Sequence, residues 1–399
     1  MSYPKNSYPK NNILAPIRSI GVDACPLGPH RTGVANYAFS WLEPLCQRHP
    51  QVRFFLYSND AIAFPDLPNV VCRTSRPKRR GPFWQNTQLL KMVAQDRPDV
   101  FFGTNGMLPM WGMRDIPRVL IVHDLANKFA PATQQRLVRW NRRIFQALSV
   151  KRATCTLAIS NATKHDIQRC YGREADGVVH PLAAAHFHHP SESELTRVRT
   201  KLSLPDRFWL TVGTLEPRKN LVALIRAHLA CRQRGLEVPV LLLAGGGGWL
   251  NAEIEAEIRQ GEAVGAIRRL GFVSNSELPA LYATCEVFLM PSLYEGFGMP
   301  ILEAQMCGAT VVHGDHASMV EAGGGLGLSV SPDQISLETV LTQLVQGAIP
   351  LSCRLPTDPL IQNQAQGLLT LERALGLPLM SEHPAIEIAT TQTKSTSVD

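Results

Sequence analysis

The chain has 399 residues, of which 45% are hydrophobic and 18% charged, and this balance excludes an intrinsically disordered protein. Its apolar runs are shorter than the ~18 residues that a membrane-spanning helix requires. Residues 1–200 carry 27 Lys and Arg against 13 Asp and Glu, whereas residues 201–399 carry 13 against 20. The two halves are therefore expected to face different partners, or the basic half an anionic surface.

The two ends of the chain are predicted to be disordered tails, at residues 1–18 and 381–399. The first contains the polar repeat SYPKN, and the second is rich in Thr and Ser. No apolar segment follows the basic N-terminal residues, so we expect no secretory signal and a cytoplasmic protein. The nine cysteines contain no CxxC pair, which is typical of reduced thiols rather than of disulfides or a zinc site.

Between the tails, short apolar runs alternate with amphipathic stretches. The runs form two series, and both are predicted to be strands: 19–22, 52–57, 99–102, 119–122 and 156–159, then 209–212, 240–244, 287–290 and 310–312. Helical patterns lie at 134–153, 221–234 and 278–285. This alternation predicts an α/β protein with two Rossmann-like, doubly wound domains, at 19–190 and 205–360, joined by a polar segment near 185–207. Ligands bind such sheets at the carboxyl ends of the strands.

The segment GTLEPRKN (213–220) follows the first strand of the second series. Gly213 allows an anion to approach the backbone, and Arg218 and Lys219 place two cations at the same strand end. Cations at the start of a helix oppose its dipole, so their position indicates a phosphate between them and the helix. The alternative is an Arg-Lys pair that is merely solvated. The next strand ends in four glycines that begin at Gly245, a loop suited to close ligand approach or simply a turn.

The segment YEGFGMPILEA (294–304) predicts a glycine turn that opens a helix. Free amides at the start of that helix can bind a diphosphate. Glu295 in the turn and Glu303 eight residues later would repel phosphate, so they suit hydroxyl groups such as those of a sugar and a ribose. Taken singly, each could be an ordinary glutamate of a helix end or a helix surface.

These segments together resemble the retaining glycosyltransferases of family 4, which have the two-domain GT-B fold. The matching strings are GTLEPRKN, AGGGGW, LGFVSNSELPALY and EGFGMPILEA with its Glu-x7-Glu spacing. The resemblance covers about residues 19–330, is specific in 209–312, and is greatest to bacterial mannosyl- and rhamnosyltransferases of polysaccharide or O-antigen assembly. It implies that the second domain binds a sugar nucleotide, that the first binds the acceptor, and that a helix within 361–380 crosses back to the first domain.

The resemblance also implies roles for single residues. Arg218 and Lys219 would hold the diphosphate, Glu295 the donor-sugar hydroxyls and Glu303 the ribose. Further donor contacts would be Gly213, Thr214, Gly245, Phe272, Val273, Gly296, Phe297, Gly298 and Met299. No metal or other cofactor is expected, because members of the family generally need none.

Two features of the first half match the same family. Gly33 in RTGVANY (31–37) resembles the glycine loop that approaches the donor phosphate, although it could equally be a turn that starts a helix. His123 follows the strand at 119–122 and would lie close to the donor sugar and count among the catalytic residues. The alternative is a histidine that is bonded to a backbone carbonyl.

The sequence departs from the family at 311–323, where VVHGDHASMVEAG contains His313, Asp315 and His316. We do not predict a metal site there, because no further cluster of ligands lies nearby. The departure leaves the donor base and sugar open.

Basic residues concentrate in two places of the first half. One cluster contains Arg73, Arg76, Lys78, Arg79 and Arg80. In the helix predicted at 134–153, spacings of three and four place Arg136, Arg139 and Arg143 on one face. That face is either simply solvated or attracted to anionic lipid headgroups or a lipid-pyrophosphate acceptor, at about 1 kcal/mol per basic residue. No nucleic-acid motif is present, so nucleic acid is not expected as a partner.

The function predicted from these observations is transfer of a sugar from a nucleoside-diphosphate sugar to a hydroxyl of a glycan or lipid-linked glycan, by a retaining mechanism. GDP-mannose is the first donor expected, and a UDP-sugar the second. The enzyme would be cytoplasmic or peripheral on the inner face of the cytoplasmic membrane. Two alternatives stay open: a GT-B epimerase or phosphorylase, and a non-enzymatic protein that binds an anionic surface, membrane or nucleic acid, through the basic half.

Overall fold

The structure is a computed structural model that describes residues 16–28, 33–75, 81–249, 251–349 and 357–380. Most of the first predicted tail and all of the second lie outside these residues. So do four members of the first basic cluster, Arg76, Lys78, Arg79 and Arg80, and nothing is described of the side chain of Arg136.

The described residues form two parallel sheets. The first has seven strands in the order β3-β2-β1-β4-β5-β6-β7. Their bounds are Ser19–Asp23 (β1), Arg53–Ser58 (β2), Val70–Thr74 (β3), Val100–Gly103 (β4), Arg118–Val122 (β5), Cys155–Ala158 (β6) and Gly177–Val178 (β7). The second has six strands in the order β10-β9-β8-β11-β12-β13. Their bounds are Phe208–Val212 (β8), Val240–Ala244 (β9), Ile267–Gly271 (β10), Val287–Met290 (β11), Val311–Gly314 (β12) and Leu328–Val330 (β13).

Helices connect the strands and cover the faces of both sheets. Those of the first half and the joint are Gly33–Arg48 (α1), Gly81–Trp84 (α2), Leu90–Asp96 (α3), Ala126–Phe129 (α4), Arg136–Arg152 (α5), Asn161–Tyr171 (α6) and Glu192–Leu202 (α7). Those that follow are Leu221–Gln233 (α8), Ala252–Ala263 (α9), Leu278–Thr284 (α10), Met299–Met306 (α11), Ala317–Gly323 (α12), Gln334–Val345 (α13) and Thr357–Leu375 (α14). Because helices cover both faces, central strands such as β4 and β11 are buried along their whole length.

In each sheet the strand order reverses next to the first strand. In the first sheet β1 pairs with β4 from Ile20 opposite Val100 to Asp23 opposite Gly103. In the second, β8 pairs with β11. The connections on the two sides of such a point turn in opposite directions and leave a crevice at the carboxyl ends of the strands. GTLEPRKN follows β8 and EGFGMP follows β11, so the two strongest motifs border the crevice of the second sheet.

The chain passes between the two halves twice. The joint at 185–207 contains α7, which begins in a capping box where Glu194 accepts hydrogen bonds from the backbone and hydroxyl of Ser191 at 2.9 and 2.7 Å. Later, α14 returns to the first half. Its buried Glu372 accepts a bond from Arg48 Nε at 2.9 Å and lies 3.0 Å from His49 Nε2.

Candidate active site

Four charged side chains meet in the crevice of the second sheet. Lys219 Nζ donates to Glu295 Oε1 at 2.8 Å, and Arg218 forms an ion pair with Glu295 Oε2. Arg218 also donates to Glu216 at 2.5 Å and to the carbonyl of Tyr294 at 2.9 Å. The structure thus joins three of the predicted site residues into one cluster in which two carboxylates balance two cations.

The charges in this cluster support one another. Burial alone would raise the pKa of Glu295, but Arg218 and Lys219 outweigh burial and hold that pKa at about 2. Glu216, with an exposed fraction of 3%, is one of the two carboxylates. The sequence analysis assigned no role to Glu216, which lies within the GTLEPRKN segment. Its position two residues from Arg218 was the available signal.

Glycines allow the loops of this crevice to lie against each other. A Cβ at Gly245 would collide with the carbonyl of Gly213, and a Cβ at Gly213 would lie 3.2 Å from Cε of Lys219. Both glycines have positive φ, at 146° for Gly213 and 149° for Gly245. Close packing of two neighbouring strand ends and of the Lys219 side chain therefore requires glycine at these positions.

The EGFGMP turn touches the first half of the chain. A Cβ at Gly296 would collide with the backbone carbonyl of His123. The carbonyl of Gly296 accepts hydrogen bonds from Ser160 Oγ at 2.6 Å and Thr163 Oγ1 at 3.1 Å. Gly298, with φ of 119°, then starts α11 at Met299. Gly296 is thus a point of contact between the two halves.

His123 itself is held on the first sheet. Its Nε2 lies 2.7 Å from the carbonyl of Thr104, and the ring meets that of Tyr37 edge-on, with 5.0 Å between centroids. Burial lowers the pKa of His123, which favours a neutral ring that donates from Nε2. The sequence also allows a histidine that is merely bonded to a backbone carbonyl, and the described geometry has that form. The structure nevertheless places His123 beside the Glu295 turn.

Glu303 is buried and lies in different surroundings from Glu295, which is half-buried. Its carboxylate accepts one hydrogen bond at 3.3 Å, from the hydroxyl of Tyr282, and its exposed fraction is 8%. Burial raises the pKa of Glu303 to about 7, and the Tyr282 bond and the charge of Lys219 offset only part of that effect. Near neutral pH its carboxyl group can both donate and accept hydrogen bonds, as recognition of a hydroxyl requires.

Two more carboxylates join the halves, and sequence reasoning gave neither of them a role. Glu321 accepts from the amides of Asn161 and Ala162 at the start of α6, at 2.8 and 3.2 Å, and lies 2.6 Å from His180 Nε2. Asp166 accepts from the hydroxyl of Tyr294 at 2.8 Å. These partners are over a hundred residues apart in sequence, so no local pattern signals them.

The remaining predicted donor contacts differ in exposure. Phe272 is 83% exposed just after β10, whereas Val273 beside it is buried. Phe297 is buried with its ring centroid 6.0 Å from that of His180. Thr214 is exposed at the crevice, and Gly33 is the first residue of α1.

The unusual 311–323 segment has structural contacts of its own. His313 is buried against Gly323 and Gly327, and His316 precedes α12 and accepts a bond from the amide of Ser318 at 3.4 Å. Among the residues that the structure describes, no three His, Cys, Asp or Glu side chains gather as metal ligands would.

The basic helix α5 exposes apolar side chains next to its arginines. Trp140 is 62% exposed and Ile144 43% exposed, and Arg143 between them is exposed too. Arg139 donates to the carbonyl of Pro131 at 3.3 Å, and Arg142 pairs with Asp124 at 3.1 Å. Across the described ranges, no helix has the length and apolar character needed to cross a bilayer.

Comparison with known proteins decides the family. Residues 31–181 match the model of "Glycosyltransferase Family 4", and residues 192–324 match that of "Glycosyl transferases group 1". The chain belongs to glycosyltransferase family 4. The crystal structure of Anabaena HepE in complex with UDP and glucose covers 90% of this chain at a TM-score of 0.61 and 18% identity, with 95% of that structure matched, which shows the GT-B fold.

Curated relatives of this family 4 protein include two from Escherichia coli. O-antigen chain mannosyltransferase B is 36% identical over 191 residues, which are 47% of this chain and 50% of the relative. The serotype-specific mannosyltransferase WbdA is 32% identical over 183 residues, 44% of this chain and 22% of the relative. The alignments thus span half or less of the length of these relatives.

Proposed function

We propose that this family 4 protein transfers mannose from GDP-mannose to a hydroxyl of a glycan or lipid-linked glycan, and that the sugar keeps its anomeric configuration. The names of two curated relatives, both mannosyltransferases, support the choice of sugar. The observation that carries the proposal is the half-buried cluster of Arg218, Lys219 and Glu295, at the strand ends where an α/β sheet binds ligands.

In this proposal the two cations stabilise the diphosphate as it leaves. Arg218 and Lys219 lie at fixed positions in a buried crevice, where charges act more strongly than in water. Because two side-chain cations can stabilise the leaving diphosphate as a divalent ion would, we propose that transfer needs no metal. Activity should then be the same in EDTA and in Mg²⁺, whereas loss of activity in EDTA would contradict this part.

The reaction follows from the leaving group. As the bond from the anomeric carbon to the phosphate oxygen breaks, the acceptor oxygen bonds to that carbon on the same face. The departing phosphate oxygen gains charge and can take the proton of the acceptor hydroxyl, so the products are the glycoside and the nucleoside diphosphate. Glu295 and Glu303 would bind hydroxyls of the donor rather than attack the sugar. His123, at the carboxyl end of β5, would face the donor sugar, since its backbone lies against the turn at Gly296.

We further propose that α5 rests on an anionic membrane surface that carries the acceptor. Its exposed Trp140, Arg143 and Ile144 combine an interfacial aromatic with a cation and an apolar side chain. The double variant Trp140→Ser with Arg143→Ser should lose sedimentation with vesicles of anionic phospholipid and keep transfer to a soluble acceptor. Unchanged sedimentation of that variant would contradict the membrane role.

Transfer itself is tested by incubating the protein with GDP-, UDP-, ADP- and TDP-sugars and a panel of mannose-terminated acceptors. GDP-mannose should stabilise the wild type against heat by about 2.7 kcal/mol at a hundred times its Kd, and should give product. Lys219→Ala should remove both effects. Arg226→Ala, which breaks a surface pair with Glu253 and Glu257, is the matched control and should remove neither. If only sugars of another nucleotide class stabilised the protein, the proposal that GDP-mannose is the donor would be wrong.

A further inference from the structure

We propose that Glu295 is an internal anion that pairs with the diphosphate-binding cations before a donor binds, and that diphosphate binding releases it to the hydroxyls of the donor sugar. The inference rests on the proposed function in one respect, that Arg218 and Lys219 are the diphosphate-binding cations. It makes Glu295 a residue that distinguishes the sugar nucleotide from the bare nucleoside diphosphate.

Both oxygens of Glu295 are engaged. Oε1 accepts from Lys219 at 2.8 Å and Oε2 pairs with Arg218, while the side chain is only 11% exposed. A sugar hydroxyl that approaches Glu295 meets oxygens that already accept from two cations, so it competes with these pairs for the carboxylate. Conversely, a phosphate that bound Lys219 would meet the carboxylate of Glu295 on the same ammonium group, and two anions so close repel each other.

The surroundings allow Glu295 to leave while the cations stay. Arg218 has two other acceptors, Glu216 at 2.5 Å and the carbonyl of Tyr294 at 2.9 Å. The backbone of the turn is fixed as well, because Ser318 Oγ donates to the carbonyl of Glu295 at 2.7 Å. Release therefore requires only a rotation of the Glu295 side chain.

The exchange favours a sugar nucleotide over its product. A complete donor gives the released carboxylate new partners, since the sugar supplies hydroxyl donors. A bare nucleoside diphosphate displaces the same carboxylate and offers it none. The product should therefore be held more weakly than the diphosphate contacts alone would allow, which assists its departure after transfer.

The test uses inorganic pyrophosphate, because this probe carries the diphosphate charge without a base or sugar. Isothermal titration should show that Glu295→Gln binds pyrophosphate at least about tenfold more tightly than the wild type, because the cations are no longer occupied. The matched control is Asp124→Asn. Burial alone would raise the pKa of Asp124, but the charge of Arg142 and, to a smaller extent, that of Arg218 lower it. The ion pair that Asp124 forms is with Arg142, not with Arg218. This control should change the affinity less than about threefold.

Two further variants complete the design. Glu295→Asp keeps the charge but shortens the side chain, so it should fall between Glu295→Gln and the wild type. It also serves as the test variant if Glu295→Gln does not fold. Adding Lys219→Met to Glu295→Gln should abolish the gain. Equal or weaker pyrophosphate binding by Glu295→Gln, or by Glu295→Asp in its place, would overturn the inference, and so would an equal gain in Asp124→Asn.

The failure of this inference can be told apart from failure of the proposed function. If the wild type transfers mannose but Glu295→Gln gains no affinity for pyrophosphate, the proposal that Glu295 is an internal anion is wrong, whereas the proposed transferase function is supported. If Glu295→Gln gains affinity while no donor sugar is transferred, the internal anion stands and the transferase reaction is wrong. With the donor identified in the transfer assay, the wild type should prefer donor over nucleoside diphosphate, and Glu295→Gln should lose that preference.

Discussion

Glu295 and Glu303 are carboxylates eight residues apart, yet their pKa values lie on opposite sides of the ordinary value for glutamate. Two cations hold the pKa of Glu295 at about 2, whereas burial beside a single hydroxyl raises that of Glu303 to about 7. The partners of Glu295 come from a loop 76 residues earlier, on the neighbouring strand at the reversal of the sheet. Glu303, in the helix that follows, faces Tyr282 of α10. The pKa of each carboxylate is therefore set by the side chains that face it and not by its position in the Glu-x7-Glu motif.

The largest expected effect on transfer comes from removing Lys219, one of the two cations that pair with Glu295. Lys219→Met should lower kcat/KM for transfer about 100- to 1,000-fold, because the leaving diphosphate loses a fixed charge. Glu303→Gln should lower it less, since glutamine still offers a hydrogen bond to a hydroxyl. Steady-state assays with Arg226→Met as control make the comparison. A loss under tenfold in Lys219→Met would contradict the proposed role.

The same substitution at the two carboxylates should change stability in opposite directions. At pH 8, Glu295→Gln should reduce the free energy of unfolding by about 3 kcal/mol, because Lys219 and Arg218 lose the carboxylate that they share. Glu303→Gln should increase it by about 3 kcal/mol, because a poorly solvated carboxylate is replaced by a neutral group. Urea unfolding measures both, and changes of equal sign would contradict the assigned surroundings.

Dependence on pH sharpens the contrast. The pKa of Glu303 is about 7 in the folded state, against an ordinary value of 4.5. The contribution of Glu303 to the free energy of unfolding is therefore fully present below pH 4.5, and it is lost as the pH rises through 7. The difference in unfolding free energy between Glu303→Gln and wild type should grow by about 2 kcal/mol from pH 5 to pH 7. Glu295 has a lowered pKa, so its stabilisation is present above pH 4.5 and is lost as pH falls toward 2. Unfolding measured from pH 4 to 8 checks the first slope, and a flat difference would refute it.

The smallest effect is expected from the hydroxyl beside Glu303. Tyr282→Phe removes the donor at 3.3 Å, which should destabilise the protein by about 1 kcal/mol at pH 8 and by less at pH 5, where Glu303 is mostly neutral. Fitting the pH series of this variant should also return a higher pKa for Glu303. A loss that is the same at both pH values would mean that Tyr282 acts only through packing.

Sequence patterns predicted the interior of both sheets and missed their edges. The nine predicted apolar runs coincide with β1, β2, β4, β5, β6, β8, β9, β11 and β12. The four strands not predicted, β3, β7, β10 and β13, are the edges of the two sheets. Central strands of a parallel sheet are buried on both faces and form continuous apolar runs, whereas an edge strand such as β3, VVCRT, is mostly exposed.

For the candidate site, the sequence predicted which loops contribute residues but not how their side chains contact each other. The motifs place Arg218, Lys219 and Glu295 at the carboxyl ends of strands of one sheet, which lie close together, and in the structure these three side chains are in contact. The sequence could not show that these charges neutralise each other, because that depends on side-chain directions. Nor could it show that Glu321 and Tyr294 bond to the first half, since their partners are distant in the chain.

The return of α14 to the first half has a consequence for how the protein is made. Leu368, Leu371 and Leu375 of that helix are buried in a core shared with Trp41 of α1, and Gly367 lies against the Trp41 ring. During synthesis, the surface of α1 that receives these leucines is uncovered until residue 375 has left the ribosome. The hydrophobic core of the first half is therefore complete only after nearly the whole second half has been synthesised. Until then, the first half exposes an apolar surface that chaperones can bind.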